Sequence, residues 1–342
     1  MSQGTGTKTL LNELGLLPDV EFPGEDLTPV YHKRMEYSSP PLVWNHRKTG
    51  DVDIYFLSNQ ERKSRTVDVA FRIRDRVPEF CDAASGTISD AGIWHQEGDR
   101  TLVTVDLAPA GSIFVVFRRA SDTDPAALIS PLYEESEKDL QQVWFRGASL
   151  WVAENGSWRL KYQSGKREKF FMDDLPEPRK IEGQWKLIFT PGRGATDQID
   201  LQELKSLSEH ADEGIKYFSG TATYHSAFDW TGVNRDDRIF LDLGSVAQLA
   251  EVKLNGNELG VLWKPPYIIE VTDVIREGGN ELRIAVTNTW HNRMVGDARL
   301  PDDQRITWLL FKDAGTATEA DLDPAGLIGP VVLRTARKAY RP

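Results

Sequence analysis

Between Leu254 and Leu300 the sequence gathers Trp263, Lys264, Tyr267, Asn288, Trp290, Asn292, Arg293 and Asp297. An indole offers a flat apolar face on which the C–H face of a sugar ring can stack. Amides, a guanidinium and an ammonium can then direct hydrogen bonds to its hydroxyls. Trp263 reads either as such a platform or as a core tryptophan closing the end of a sandwich. Arg293 with Asp297 reads as a hydroxyl-directed pair or as a salt bridge pinning a loop, and Asn288 and Asn292 could equally cap turns. Lys264, beside two prolines, is expected to be exposed. Far upstream, His46 in Trp44-Asn45-His46-Arg47 is a planar donor that could face a polyol, or a structural histidine at a strand entry. The candidate binding set is therefore Trp263, Lys264, Tyr267, Asn292, Arg293, Asp297 and His46. No catalytic residue is named.

Other chemistries lack their motifs. There is no HExxH, Walker loop, CxxC or GxSxG. Gly192-Arg193-Gly194 lacks the third glycine of a dinucleotide loop and reads as a turn. The acid pairs Glu134-Glu135, Asp173-Asp174, Asp236-Asp237 and Asp302-Asp303 fall in loops and read as solvated surface. The six histidines show no ligand spacing, and the single cysteine, Cys81, excludes a multi-cysteine metal cluster. A net charge of −11 without a basic stripe argues against nucleic-acid and anionic-membrane partners. No apolar run approaches the ~20 residues of a membrane span. The N-terminus lacks the features of a secretory signal, so a cytoplasmic compartment is expected unless the start is truncated.

The elements that must position these residues are mostly strands. Helical spacing is confined to Lys8–Leu17 and Asp200–Leu207, the latter through Leu201, Leu204 and Leu207. Val52, Ile54 and Phe56 alternate with Asp53 and Tyr55; Val67, Val69, Phe71 and Ile73 alternate with Asp68, Ala70 and Arg72. Asn155-Gly156 and Asn255-Gly256 are each expected to turn a hairpin, because both positions accept φ > 0. Residues 1–30 read as a helix and linker, 31–120 as a β-sandwich, and 121–180 as a linker with a small β-meander. Residues 181–337 read as a jelly roll. The class is mainly β, with tandem sandwiches.

One region is more specific. Strand–Asn-Gly–strand followed by a Pro–Tyr turn and Asp273 resembles the galactose-binding-like jelly roll of large glycosidases. KYFSGTATYHSAF (216–228), LDLGSVAQLAEVKLNGNELGVLWKPPY (241–267), NTWHNRMVGD (288–297) and PAGLIGPV (324–331) resemble the C-terminal region of glycoside hydrolase family 106, the α-L-rhamnosidases. WNHRKTGDVDIYFLSNQ (44–60) is similar to the segment after that family's catalytic barrel. The resemblance is weakest from 121 to 180.

It implies action on rhamnose-containing oligo- or polysaccharides, by inverting hydrolysis that usually requires calcium. It also implies that the acidic pair belongs to an upstream (β/α)₈ barrel, often in a periplasmic or secreted protein. A barrel takes about 250 residues, and the 30 residues before the first sandwich cannot hold one. The expectation is a non-catalytic β-sandwich portion partnered by such a barrel. The alternatives are a stand-alone carbohydrate-binding protein and a structural sandwich without ligand. No calcium ligands are identified.

Overall fold

The computed structural model describes residues 14, 18–32, 37–121, 123–132, 143–146, 149–232, 234, 236–307 and 322–340. The helix expected at 8–17 and most of the strand expected at 306–311 lie outside the described residues. Contacts divide the chain into two units, Met1–Leu175 with Lys338–Pro342, and Pro176–Arg337. Among the described residues, no helix is long and apolar enough to cross a membrane.

The first unit contains a four-stranded sheet in the order Val20–Glu21, Arg65–Phe71, Arg100–Leu107, Trp94–Glu97. A five-stranded sheet runs Leu42–Thr49, Val52–Asn59, Ser112–Ala120, Arg76–Asp82, Thr87–Asp90. Both are antiparallel. Val67, Val69, Phe71, Val103 and Val105 from one sheet share a buried cluster with Tyr55, Leu57, Val115 and Phe117 from the other. Two inner faces interlocked in this way make a sandwich. The Tyr55 ring sits 4.7 Å from Phe71 and 5.9 Å from Phe117, centroid to centroid.

Strand Val52–Asn59 turns its less apolar set inward. Asp53, Tyr55, Leu57 and Asn59 are buried, while Val52, Ile54 and Phe56 are only partly covered. Period two says which residues share a face; with apolar groups on both faces it does not say which face is inside. The buried polar groups are satisfied, as burial requires. Asp53 Oδ1 pairs with His46 Nε2 at 3.0 Å, and Asn59 Nδ2 donates to the carbonyls of Lys63 and Ala108 at 2.8 and 3.0 Å.

The rest of this unit is a three-stranded sheet, Ala126–Pro131, Gly156–Tyr162, Arg167–Met172, and a hairpin of Val143–Arg146 with Ser149–Val152. Trp158, Leu160 and Phe170 share its core with Leu150 and Val152. The hairpin expected at Asn155-Gly156 does not form, since Ser149–Val152 and Gly156–Tyr162 belong to different sheets. Asn155 instead clamps Leu175, accepting its N–H at 2.9 Å and donating to its carbonyl at 3.0 Å.

The second unit contains a six-stranded antiparallel sheet in the order Gln198–Leu201, Trp185–Phe189, Thr221–Trp230, Gly278–Thr287, Leu249–Leu254, Asn257–Leu262. Its buried residues, among them Trp185, Leu187, Tyr224, Val252 and Ile284, pack with Ile239, Leu241 and Leu333 from Arg238–Asp242 and Val332–Lys338. This is the jelly-roll arrangement, so mainly β architecture with tandem sandwiches is what the chain adopts. Two local readings change. Asp200–Leu207 is no helix: Leu201 ends a strand and Leu207 begins a 3₁₀ turn, both reaching the core. The sequence also reads as a strand whose end runs through 287–293; in the structure the strand stops at Thr287 and the helix His291–Asp297 follows. That helix buries Asn292, Arg293 and Asp297 alongside Val295, so apolar spacing does not mark it.

Asn255-Gly256 does form its hairpin. Asn255 has φ 53° and Gly256 φ 81°, the left-handed pair that suits strand twist. The Asn255 side chain donates to Val274 O and Asn280 Oδ1, both at 2.8 Å, and accepts from Glu281 N at 3.0 Å. Asn280, buried, holds both the N–H and the carbonyl of Arg276. Asn255→Gly keeps the backbone freedom and loses these bonds. It is expected to lower unfolding free energy by about 2 kcal/mol in urea. A loss below about 0.5 kcal/mol would show that backbone geometry alone makes this corner.

Candidate functional site

Ladder register places the candidate residues of the second unit at one end of the six-stranded sheet. Leu262 pairs with Ala250, Ala250 with Val286, Val286 with Ala222, and Ala222 with Phe189. The residues just beyond that row, including Trp263, Gln248 and Asn288, therefore share a rim. Trp263 leads it, 59% exposed, with Lys264 Nζ 5.6 Å from its ring centroid. By contrast Trp94, Trp158, Trp185 and Trp230 are buried. The choice left open between core and surface is settled: Trp263 faces outward.

Tyr267 anchors the loop that carries Trp263. It is buried, its hydroxyl donates to the Gln248 carbonyl at 2.7 Å, and its own carbonyl accepts from Leu243 N at 2.9 Å. Burial pushes its phenol pKa upward, so it stays a neutral donor. Asn288 and Asn292 use both ends of their amides on backbone. Asn288 spans Gly220 N and Phe218 O at 2.9 and 2.8 Å. Asn292 spans Asp323 N and O at 2.9 and 2.8 Å.

Arg293 and Asp297 lie buried one helical turn apart, Nε to Oδ1 at 2.9 Å. Asp297 Oδ2 also accepts from the backbone N–H of Ile306 at 3.0 Å and of Thr307 at 2.6 Å, and from the Thr307 hydroxyl at 2.6 Å. Two glycines make room for this pair. A Cβ on Gly194 (φ 91°) would stand 2.8 Å from Arg293 Nη1, and one on Gly296 would stand 2.6 Å from the Tyr217 ring. Gly296 thus serves packing inside the helix rather than a turn. Tyr267, Asn292, Arg293 and Asp297 thus hold the rim together, while Trp263 is the member presented to solvent; Lys264, expected to be exposed, is only partly so, with its ammonium near the Trp263 ring.

His46 lies in the first unit. Its ring stacks on Tyr55 at 4.2 Å and 7°, and its nitrogens face Asp53 Oδ1 at 3.0 Å and Asp19 Oδ2 at 3.4 Å. Both polar atoms are occupied within the protein. Asp19 also accepts from Arg72 Nε at 3.0 Å. Burial raises the Asp19 pKa, but the Arg72 and His46 contacts outweigh it and hold the carboxyl below its ordinary value.

A further pair escaped sequence reasoning. Arg193 lies over the ring of Trp290, Cζ 4.5 Å from the centroid, and Trp290 is 43% exposed. The strand end leading to Trp290 is two strands from the one bearing Trp263, roughly 10 Å across the sheet. The available signal was Gly192-Arg193-Gly194, whose glycines take φ 73° and 91° and present the arginine. Among the described residues no group of three or more His, Cys, Asp or Glu is placed to hold a metal ion. No ligands are assigned to the calcium that the resemblance implies.

Comparison with known proteins agrees with the geometry. Residues 10–95 match the family described as alpha-L-rhamnosidase, and residues 185–315 the glycosyl hydrolase 2 galactose-binding domain-like family. The solved rhamnosidase of Novosphingobium sp. PP1Y superposes with a TM-score of 0.70 at 30% identity, over 96% of this chain and 26% of that one. A Formosa agariphila protein provisionally named a β-glucuronidase is 40% identical over 214 residues, 60% of this chain and 18% of its own length. A β-glucuronidase from Ruminococcus gnavus is far looser, at TM-score 0.35 and 17% identity over 49% of this chain and 30% of that one. This chain thus spans about a fifth to a quarter of the first two relatives. It is built of domains of the glycoside hydrolase kind. Within that class it resembles family 106, the α-L-rhamnosidases, with a galactose-binding-like jelly roll.

Two outcomes are expected. Asp297→Ala strands a buried guanidinium and should cost about 3–5 kcal/mol in denaturant unfolding, with Asp297→Asn milder because its amide oxygen can still accept. For Asp19, the lowered folded pKa means its stabilisation is complete above the ordinary value near 3.8 and fades as pH falls through the folded value. The stability gap between the native chain and Asp19→Asn should therefore be widest near neutrality and shrink as pH falls below the ordinary value near 3.8. A gap constant across that range would remove the linkage.

Proposed function

We propose that this chain is the non-catalytic, glycan-binding β-sandwich portion of an α-L-rhamnosidase-like glycoside hydrolase. It would hold rhamnose-containing oligo- or polysaccharide for a catalytic barrel. The observation that carries the reading is Trp263, exposed on a rim of the jelly roll with Lys264 beside it while four other tryptophans are buried. Rhamnose has an apolar face completed by its C6 methyl, which suits an indole; Lys264 can then donate to ring hydroxyls. Trp290, with Arg193 over one face, extends the rim towards a second residue of the glycan.

The non-catalytic part of the reading is supported by the sheets. Their described ladders are antiparallel, whereas a (β/α)₈ barrel needs eight parallel strands. Inverting hydrolysis also needs two carboxyl groups about 6.5–9.5 Å apart across a sugar site. Near Trp263 the rim carboxylate, Asp297, is buried in its ion pair.

Calorimetric titration with L-rhamnose and rhamnosides tests binding. Trp263→Ala is expected to weaken it by about tenfold or more, and Trp158→Ala to act only through loss of folding, since Trp158 is buried. Equal losses in two folded variants, or no heat at millimolar sugar, would end the rim reading. The purified chain is expected to show no turnover of an aryl α-L-rhamnoside; turnover that follows the protein through purification would overturn the non-catalytic assignment.

A further inference from the structure

A second recessed surface lies in the first unit. The outer face of the four-stranded sheet forms one wall, and strand Ala126–Pro131 with the turn after Tyr162 forms the other. The cavity between them measures about 510 Å³, within the range of small-ligand sites. Its walls are tied together: Gln163 Oε1 accepts from the backbone N–H of Gln96 at 3.1 Å, across 67 residues of sequence. The cleft is therefore preformed.

The lining has two characters. Ile93, Leu128 and Ile129 contribute to an aliphatic side, of which Leu128 is the most open, 53% exposed. Opposite stand Asp68 and Thr104, cross-strand partners whose side chains are already bonded, Thr104 Oγ1 to Asp68 Oδ1 at 2.7 Å. His95 adds a ring that can donate or accept beside them. The two formal charges among the lining residues, Asp68 and Lys161, are of opposite sign and give no net attraction to either kind of ion. A wholly apolar ligand would strip water from Asp68 without replacing its hydrogen bonds.

We infer that this cleft is a second ligand site of the chain and takes an uncharged sugar. The sugar's C–H face would lie along Leu128, with vicinal hydroxyls turned to Asp68, Thr104 and His95. The assignment is independent of the reading of Trp263, which belongs to the other unit.

The test is methyl-detected NMR on the whole chain, with L-rhamnose and D-galactose as neutral probes and D-glucuronate and D-glucosamine as charged ones. Neutral sugars are expected to shift the methyls of Ile93, Leu128 and Ile129 saturably at millimolar concentration. Leu128→Arg, at an exposed position, should retain a dispersed amide spectrum and weaken that response by at least about tenfold. Trp263→Ala should leave it unchanged. The inference falls if the three methyls stay still with both neutral sugars, if either charged sugar moves them as strongly, or if Leu128→Arg binds normally. It falls also if Trp263→Ala abolishes the response. Persistence of the cleft shifts in a protein with no Trp263-dependent binding would defeat the rim reading alone.

Discussion

A guanidinium and a carboxylate withdrawn from water are each costly, and each is tolerable only while the other stays within reach. Arg293 and Asp297 stand in that relation, and the rim of the jelly roll is arranged around them. The carboxylate gathers Ile306 and Thr307, Asn292 on the same helix clamps Asp323, and Asn288 just before it clamps Phe218 and Gly220. Segments far apart in sequence are thereby fixed to one short helix that buries few apolar groups. Directional bonds do there what apolar packing does in the sheets, and they hold still the surface from which Trp263 and Trp290 project. Apolar residues of the same volume could stabilise the helix as well, but they would not dictate where Ile306 and Asp323 must lie.

The first unit solves a similar problem differently. Asp53 and Asn59 occupy the inner face of a strand beside Tyr55 and Leu57, and each is satisfied by a neighbouring strand or loop. His46 bridges Asp53 to Asp19, joining the five-stranded sheet to the segment that pairs with Arg65–Phe71. In both units a polar residue that invites a binding interpretation is used to register one element against another.

Much of this was legible in the sequence, and the failures share a cause. Period-two alternation gave the strands of both sandwiches, and long ordered stretches such as 241–267 carried the family resemblance. Asn255-Gly256 behaved as its dipeptide suggests, while Asn155-Gly156 did not, because the Asn155 amide finds Leu175 twenty residues away. The helix at His291–Asp297 left no apolar period to read. Trp263 and Lys264 were visible as candidates, but exposure depends on what packs around the next strand. Arg193 and Trp290 are about a hundred positions apart, and only folding brings them together. Local signals succeed where the partner is local.

The position of Trp263 has one more consequence. It follows Asn257–Leu262, the outermost strand of the six-stranded sheet, where unpaired backbone groups would ordinarily invite a neighbour's strand. Here the ladder slips between Val252 and Lys253, Gly260 takes φ 124°, and the outward side chains include Asn257 and Glu258. Bulge, twist and charge make a poor template for edge-to-edge growth. Under the proposed glycan-holding role, a polysaccharide carrying many sites would crowd copies of this chain along its length, and an edge strand of this kind beside Trp263 would be poorly suited to zip them into a common sheet.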